Sequence, residues 1–185
     1  MAGADVVYGI RVMRFHLLDA DGGIPAAPAS WATTTDPQEA TFTPVQVDGQ
    51  RSELRGGDTL IAMIEEEDQI LGFDIGFRNA KFDGTVMAKI HGGTYAGSVY
   101  TPPKLGDDRP DFYTEMYIAE YAEGAQHQDN EQGYIKLTLN YCKCSMPTFT
   151  AGDRAFVVPA FTIKARENVT DGLAAWKWEK VAALP

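Results

Sequence analysis

Apolar and polar residues alternate with period two along most of this chain, and the alternating runs are rich in Val, Ile, Thr, Tyr and Phe. Successive side chains of a strand point to opposite faces, so the alternation predicts β-strands with one face turned to a core. The runs fall at 5–18, 40–47, 59–64, 70–77, 112–122, 133–144, 154–166 and 175–181. Residues 24–39 carry Pro25, Pro28 and Pro37, which lack the N–H a central strand needs, so a loop or an edge segment is expected there. Asp19–Gly23 (DADGG) reads as a Gly-rich turn, and Asp48-Gly49 as a hairpin signal.

Two runs depart from simple alternation. In Thr59–Ile64 (TLIAMI), Leu60, Ala62 and Ile64 would share one face, and Ile61 and Met63 the other. That predicts a strand covered on both sides. In Ile70–Phe77, Leu71, Phe73, Ile75 and Phe77 line one face, while Gly72, Asp74 and Gly76 leave the other open to close approach. Between the two runs stand Glu65, Glu66, Glu67 and Asp68, expected at the tip of a hairpin.

Residues 83–91 (DGTVMAKIH) have helical spacing instead. Val86, Met87 and Ile90 form an apolar stripe, Asp83 or Thr85 caps the start, and Gly92-Gly93 ends the turn by taking left-handed backbone. So short a helix cannot stand alone and must lie on a sheet. About eight strands with one inserted helix predict a mainly β fold, a β-sandwich or barrel with one short flanking α-helix.

Length and charge narrow the function. A chain of 185 residues buries roughly 70% of its unfolded surface and needs no staple. One domain is expected over 1–185, with extended loops at about 19–57 and 101–111. A net charge of −10 and thinly spread Lys and Arg argue against an ordinary nucleic-acid binder, since affinity for phosphate comes from cationic side chains. The opening residues lack the pattern of a secretory leader, and no apolar run reaches the roughly 18–20 residues of a membrane span. Use in a cytosol, or in an assembly built there, is the expectation.

Signs of chemistry are sparse. Dinucleotide, phosphate-loop, nucleophile-elbow and zinc-protease patterns are absent from the sequence. Cys142 and Cys144 would share a strand face as reduced, packed thiols, because His16, His91 and His127 are not spaced to complete a metal site. Asp107, Asp108 and Asp111 read as a solvated loop tied by Arg109. DADGG lacks the oxygen donors of a calcium loop. Asn168-Val169-Thr170 fits a glycosylation sequon, which has no meaning without secretion. Tyr113, Tyr117 and Tyr121 share a strand face, either as a sugar-binding stripe or, the preferred reading, as packing. No catalysis and no cofactor are expected.

At residues 54–93 the chain resembles the major tail tube proteins of long, flexible-tailed (siphovirus-type) bacteriophages. The pieces are Gly56-Gly57-Asp58, the strand–acidic turn–strand from Ile64 to Ile70, Gly72 to Phe77, Asn79, Phe82-Asp83 opening a helix, and Gly92-Gly93 closing it. The segment 156–172 (FVVPAFTIKARENVTDG) is similar to that family's penultimate strand and turn. The two segments cover about a third of the chain. Gly84 departs from the pattern, standing where such sequences often carry a helix-starting residue. The chain ends without room for the immunoglobulin-like domain that some members append, so no extra C-terminal domain is expected.

The resemblance implies a structural virion protein, assembled in the bacterial host cytoplasm into the phage tail. Hexameric rings would stack into a tube for DNA ejection, with further contacts to tape measure, tail terminator and baseplate proteins. Such a conduit must enclose a polyanion without holding it, and a carboxylate wall repels DNA across a gap comparable with the roughly 8 Å Debye length. Glu65, Glu66, Glu67 and Asp68, with Asp74 and Glu115, are the expected lumen or ring-edge acids. An outer solvated turn that prevents stray edge pairing is the plain alternative for the cluster. Rival functions are a glycan-binding β-sandwich adhesin, an acidic DNA mimic and, more remotely, a hydrolase.

Overall fold

The computed structural model describes residues 6–26, 30–56, 58–121, 131–149, 152–154 and 156–185, without the side chains of Gly56 and Leu60. His127, Gly57 and the last residue of the expected strand 112–122 lie outside them. The chain folds as a β-sandwich with one short helix. Its strands are β1 (Val6–Leu17), β2 (Ala32–Thr34), β3 (Pro37–Val47), β4 (Arg51–Gly56), β5 (Thr59–Glu65) and β6 (Gln69–Asn79). After helix α1 (Gly84–Ile90) come β7 (Thr94–Ala96), β8 (Val99–Thr101), β9 (Phe112–Tyr121), β10 (Glu131–Cys144), β11 (Ala160–Arg166) and β12 (Trp176–Val181).

Eight strands form one antiparallel sheet in the order β2-β1-β9-β10-β11-β6-β3, with β12 also on β10. Strand β10 is long enough to serve two partners on one edge. Tyr134–Leu139 pair with β12, and Tyr141–Cys144 pair with β11. The sheet therefore divides into a layer of β2, β1, β9, β10 and β12 and a layer of β11, β6 and β3, hinged at β10. Between them pack Met13, Phe15, Ile75, Phe77, Phe112, Met116, Leu139, Phe161 and Ile163. Burying each such side chain contributes about 1.5–3 kcal/mol. Phe15 meets both Phe77 and Phe112 with ring centroids 6.1 Å apart, so aromatic packing locks the layers together. Where β10 changes partner the layers part, leaving an apolar pocket of about 190 Å³ lined by Phe42, Phe73, Leu137, Leu139 and Trp176.

The helix begins where Asp83 accepts hydrogen bonds from the Thr85 and Val86 backbone N–H groups, satisfying two donors of the first turn. Val86, Met87 and Ile90 are buried and belong to the core. Gly92 (φ 89°) and Gly93 (φ 84°) follow in left-handed conformation. The departure at Gly84 has a reason: the Tyr95 ring occupies the space a Cβ would need.

Several boundaries differ from expectation. The edge segment 24–39 contains β2, and the region 19–57 holds β2, β3 and β4 rather than mostly loop. The run 154–166 becomes a strand only at Ala160, after Pro159; Thr148 pairs with Ala160 in place of the missing portion. The small hairpin β7–β8, turning at Gly97-Ser98 with both residues at positive φ, falls where no strand was expected.

Candidate functional site

The largest correction concerns Glu65–Asp68. Asp48-Gly49 does not close a hairpin between β3 and the next strand; β3 pairs with β6, Val47 opposite Gln69. Strands β4 and β5 form a separate hairpin, inserted at the far end of the β3–β6 pair, with Gly56 opposite Thr59 at its tip. Glu66, Glu67 and Asp68 thus sit at the joint between β5 and β6, and Glu65 ends β5. The joint is tied by the Glu66 N–H donating to the Gln50 carbonyl (3.0 Å) and the Gly49 N–H donating to Asp68 Oδ1 (2.8 Å).

Beyond the joint, the β4–β5 arm pairs with no other strand among the described residues. The prediction that 59–64 is covered on both sides fails within the single chain. Leu54 (60% exposed), Ile61 (63%), Met63 (46%) and Ile64 (68%) all stand in solvent, and every residue from Ile61 to Leu71 is exposed. An apolar run of alternate residues reads the same whether its cover comes from its own chain or from outside it. The arm's cations are used internally: Arg51 and Arg55 both pair with Glu53, at 2.6 and 2.8 Å. Among the described residues, Glu65, Glu66 and Glu67 have no ion-pair partner.

The other two acidic candidates lie elsewhere and are neutralised. Asp74, on the outer face of β6, pairs with Arg166 at 2.8 Å. Glu115, on the outer face of β9, lies between Arg14 (3.6 Å) and Lys136 (3.7 Å). Lys136 also pairs with Glu179, which Lys177 approaches at 4.0 Å, so signs alternate across β1, β9, β10 and β12. Burial disfavours the Lys136 cation, but Glu179 and Glu115 outweigh that and hold its pKa above the ordinary lysine value; Lys136 in turn draws the Glu179 pKa down. The structure gathers Glu65–Asp68 at one place and leaves Asp74 and Glu115 apart from it, each held in its own ion pairs.

The remaining sequence candidates are structural. Tyr113, Tyr117 and Tyr121 are buried along the ion-pair row and offer no open platform. Tyr113 packs edge-on to Trp31 (5.0 Å), itself capped by the Arg14 guanidinium at 3.9 Å, and burial pushes its phenol up to about 12. Tyr117 donates to Glu115 (2.9 Å) and Tyr121 to Glu131 (3.0 Å). Cys142 and Cys144 are free thiols inside the core, both with raised pKa through burial, Cys144 to about 12. Arg109 donates to the Cys144 carbonyl (3.4 Å), and Asp111 pairs with Lys143 (3.1 Å).

Asn168 of the sequon is buried. Its amide donates to the Gly22 carbonyl (3.1 Å), while Asp171 receives the Ile24 N–H (2.7 Å), tying DADGG to the turn before β12. Among the described residues, no group of three or more His, Cys, Asp or Glu is placed to hold a metal ion, and no helix is long and apolar enough to cross a membrane.

No protein-family model matches the chain, and a search of curated proteins gives no match.

Proposed function

We propose that this chain is a structural subunit of a phage tail tube, assembling with copies of itself into stacked rings around a channel for DNA. The observation that carries the reading is the β4–β5 arm, whose strand β5 bears apolar residues on both faces that stand exposed among the described residues. A lone two-stranded hairpin is marginal in water. Full burial of Leu54, Ile61, Met63 and Ile64 would contribute about 1.5–3 kcal/mol each, enough to convert that marginal element into a fixed one. A patch of this kind marks an interaction site rather than ordinary surface.

Charge supports the same reading. A ring of six would carry a formal charge of six times −10. Glu65, Glu66 and Glu67, without an ion-pair partner among the described residues, stand at the arm's root, where they face the bore or the ring edge and repel duplex DNA. The resemblance over 54–93 supplies the rest: hexameric rings, a virion location and contacts with tape measure, terminator and baseplate proteins. No catalytic step belongs to this role.

Negative-stain images of the purified protein test it. Monomers when dilute, with rings or tubes on concentration or in the presence of the other tail components, are expected. A chain that remains monomeric in every condition overturns the proposal.

A further inference from the structure

Strand β10 gives up one partner before it takes the next. Its pairing with β12 ends at Leu139, opposite Trp176, and its pairing with β11 begins at Tyr141, opposite Arg166. The pocket of about 190 Å³ lies at this change, between the layers rather than on either outer face. Phe42 reaches it from β3, Phe73 from β6, Leu137 and Leu139 from β10, and Trp176 from β12. Leu139 is buried at 1% exposure, Phe73 and Leu137 are half-buried, and Trp176 is 40% exposed, so the pocket runs from the core to solvent. Among the described residues its lining is wholly apolar.

That lining decides what can enter. An ordered water needs two to four polar partners, and an apolar cavity of about 150 Å³ stays dry and takes up benzene. A charge or hydroxyl would be desolvated here without a hydrogen bond in return. Cofactors and drug-sized ligands need roughly 300–1,000 Å³, more than this pocket offers. The walls narrow the class further. Phe73 stands edge-on to Phe42 (ring centroids 6.2 Å apart, 83° between planes) and to Trp176 (5.8 Å, 78°). A further ring entering among these three extends the edge-to-face arrangement that aromatic pairs prefer, which a saturated ring cannot do. We infer that this pocket binds a single uncharged aromatic ring, of about toluene's size, as a free small molecule. The inference goes beyond the tube reading and requires only the folded chain.

Toluene added to the dilute chain tests the site. It should raise Tm by about 2–4 °C, the shift expected when binding favours the folded state about sixfold. Cyclohexane, equally apolar but without a π face, should give less than half that rise. Leu137→Phe puts a ring into the space itself and should abolish the response; residue 137 is half-buried beside the empty volume, so the larger side chain has room. In the unmodified chain, nuclear Overhauser contacts should connect the toluene ring protons with the methyl groups of Leu137 and Leu139. This measurement decides the matter alone if Leu137→Phe does not fold. No rise in Tm, a rise that persists in folded Leu137→Phe, an equal response to cyclohexane, or the absence of those methyl contacts overturns the inference. Assembly plays no part in any arm, so such a failure leaves the tube reading intact, and a chain that binds toluene but never forms rings overturns the tube reading alone.

Discussion

Gly49 lies so close to Glu66 that a Cβ added to the glycine would overlap the Glu66 carbonyl oxygen. The pinch holds the arm's two chains together at its root, where a ladder of regular strand pairing is interrupted. Gly49→Ala must therefore open the joint. The core lies elsewhere, so the melting temperature should change by no more than about 1–2 °C, within the range of surface substitutions. Amide exchange at Gln50 and Glu66 should accelerate, and ring formation should weaken. Unchanged exchange at both residues would show that the contact does not govern the joint.

Asp83 caps a helix of only seven residues that packs on β1 and β2. Asp83→Ala removes the acceptor for two backbone donors and should cost about 1 kcal/mol. For a chain of this length that is about 2–4 °C in Tm, measurable by calorimetry. Asp83→Asn or Asp83→Ser should recover most of it.

Burial raises the Tyr113 phenol to about 12, above the ordinary value of 10. Between those values the unfolded chain has released this proton and the folded chain has kept it. The contribution is thus complete below pH 10 and is lost as pH rises toward 12. Tyr113→Phe removes this titration, so its unfolding free energy should fall less steeply across that window than that of the parent chain. Tyr117, also raised chiefly by burial, keeps part of the slope in both. Parallel slopes would contradict a buried phenol.

Cys142 and Cys144 sit in the core as high-pKa thiols, and the thiolate is the reactive form. Neither should react with an aromatic disulfide reagent while the chain is folded, and both should react in denaturant. Prompt labelling of folded protein would place them nearer solvent than the sandwich allows.

Local patterns carried much of this fold. Period-two alternation located β1, β6, β9, β10 and β12, and a capping aspartate with a glycine pair framed α1. What escaped was whatever depended on distant partners. Asp48-Gly49 carries the residues of a hairpin turn, yet β3 passes it to pair with β6, because Phe42 and Phe73 have a core to reach and Leu54 and Ile61 do not. Likewise, nothing local to Glu115 announces Arg14 on one neighbouring strand and Lys136 on the other. The acidic run was legible as solvent-facing; its place at the arm's root rather than its tip was not.

The divided pairing of β10 also sets an order in time. During synthesis, β3, the arm and β6 are complete once residue 79 has been added, but β11, which docks β6 beside β10, ends only at residue 166. At about 5–20 residues per second, that interval lasts roughly 4–17 s. For those seconds the nascent polypeptide carries a finished, adhesive limb with no trunk to hold it. Ribosomes crowded on one message would bring such limbs within reach of each other, making this the stage at which premature tangling is costliest.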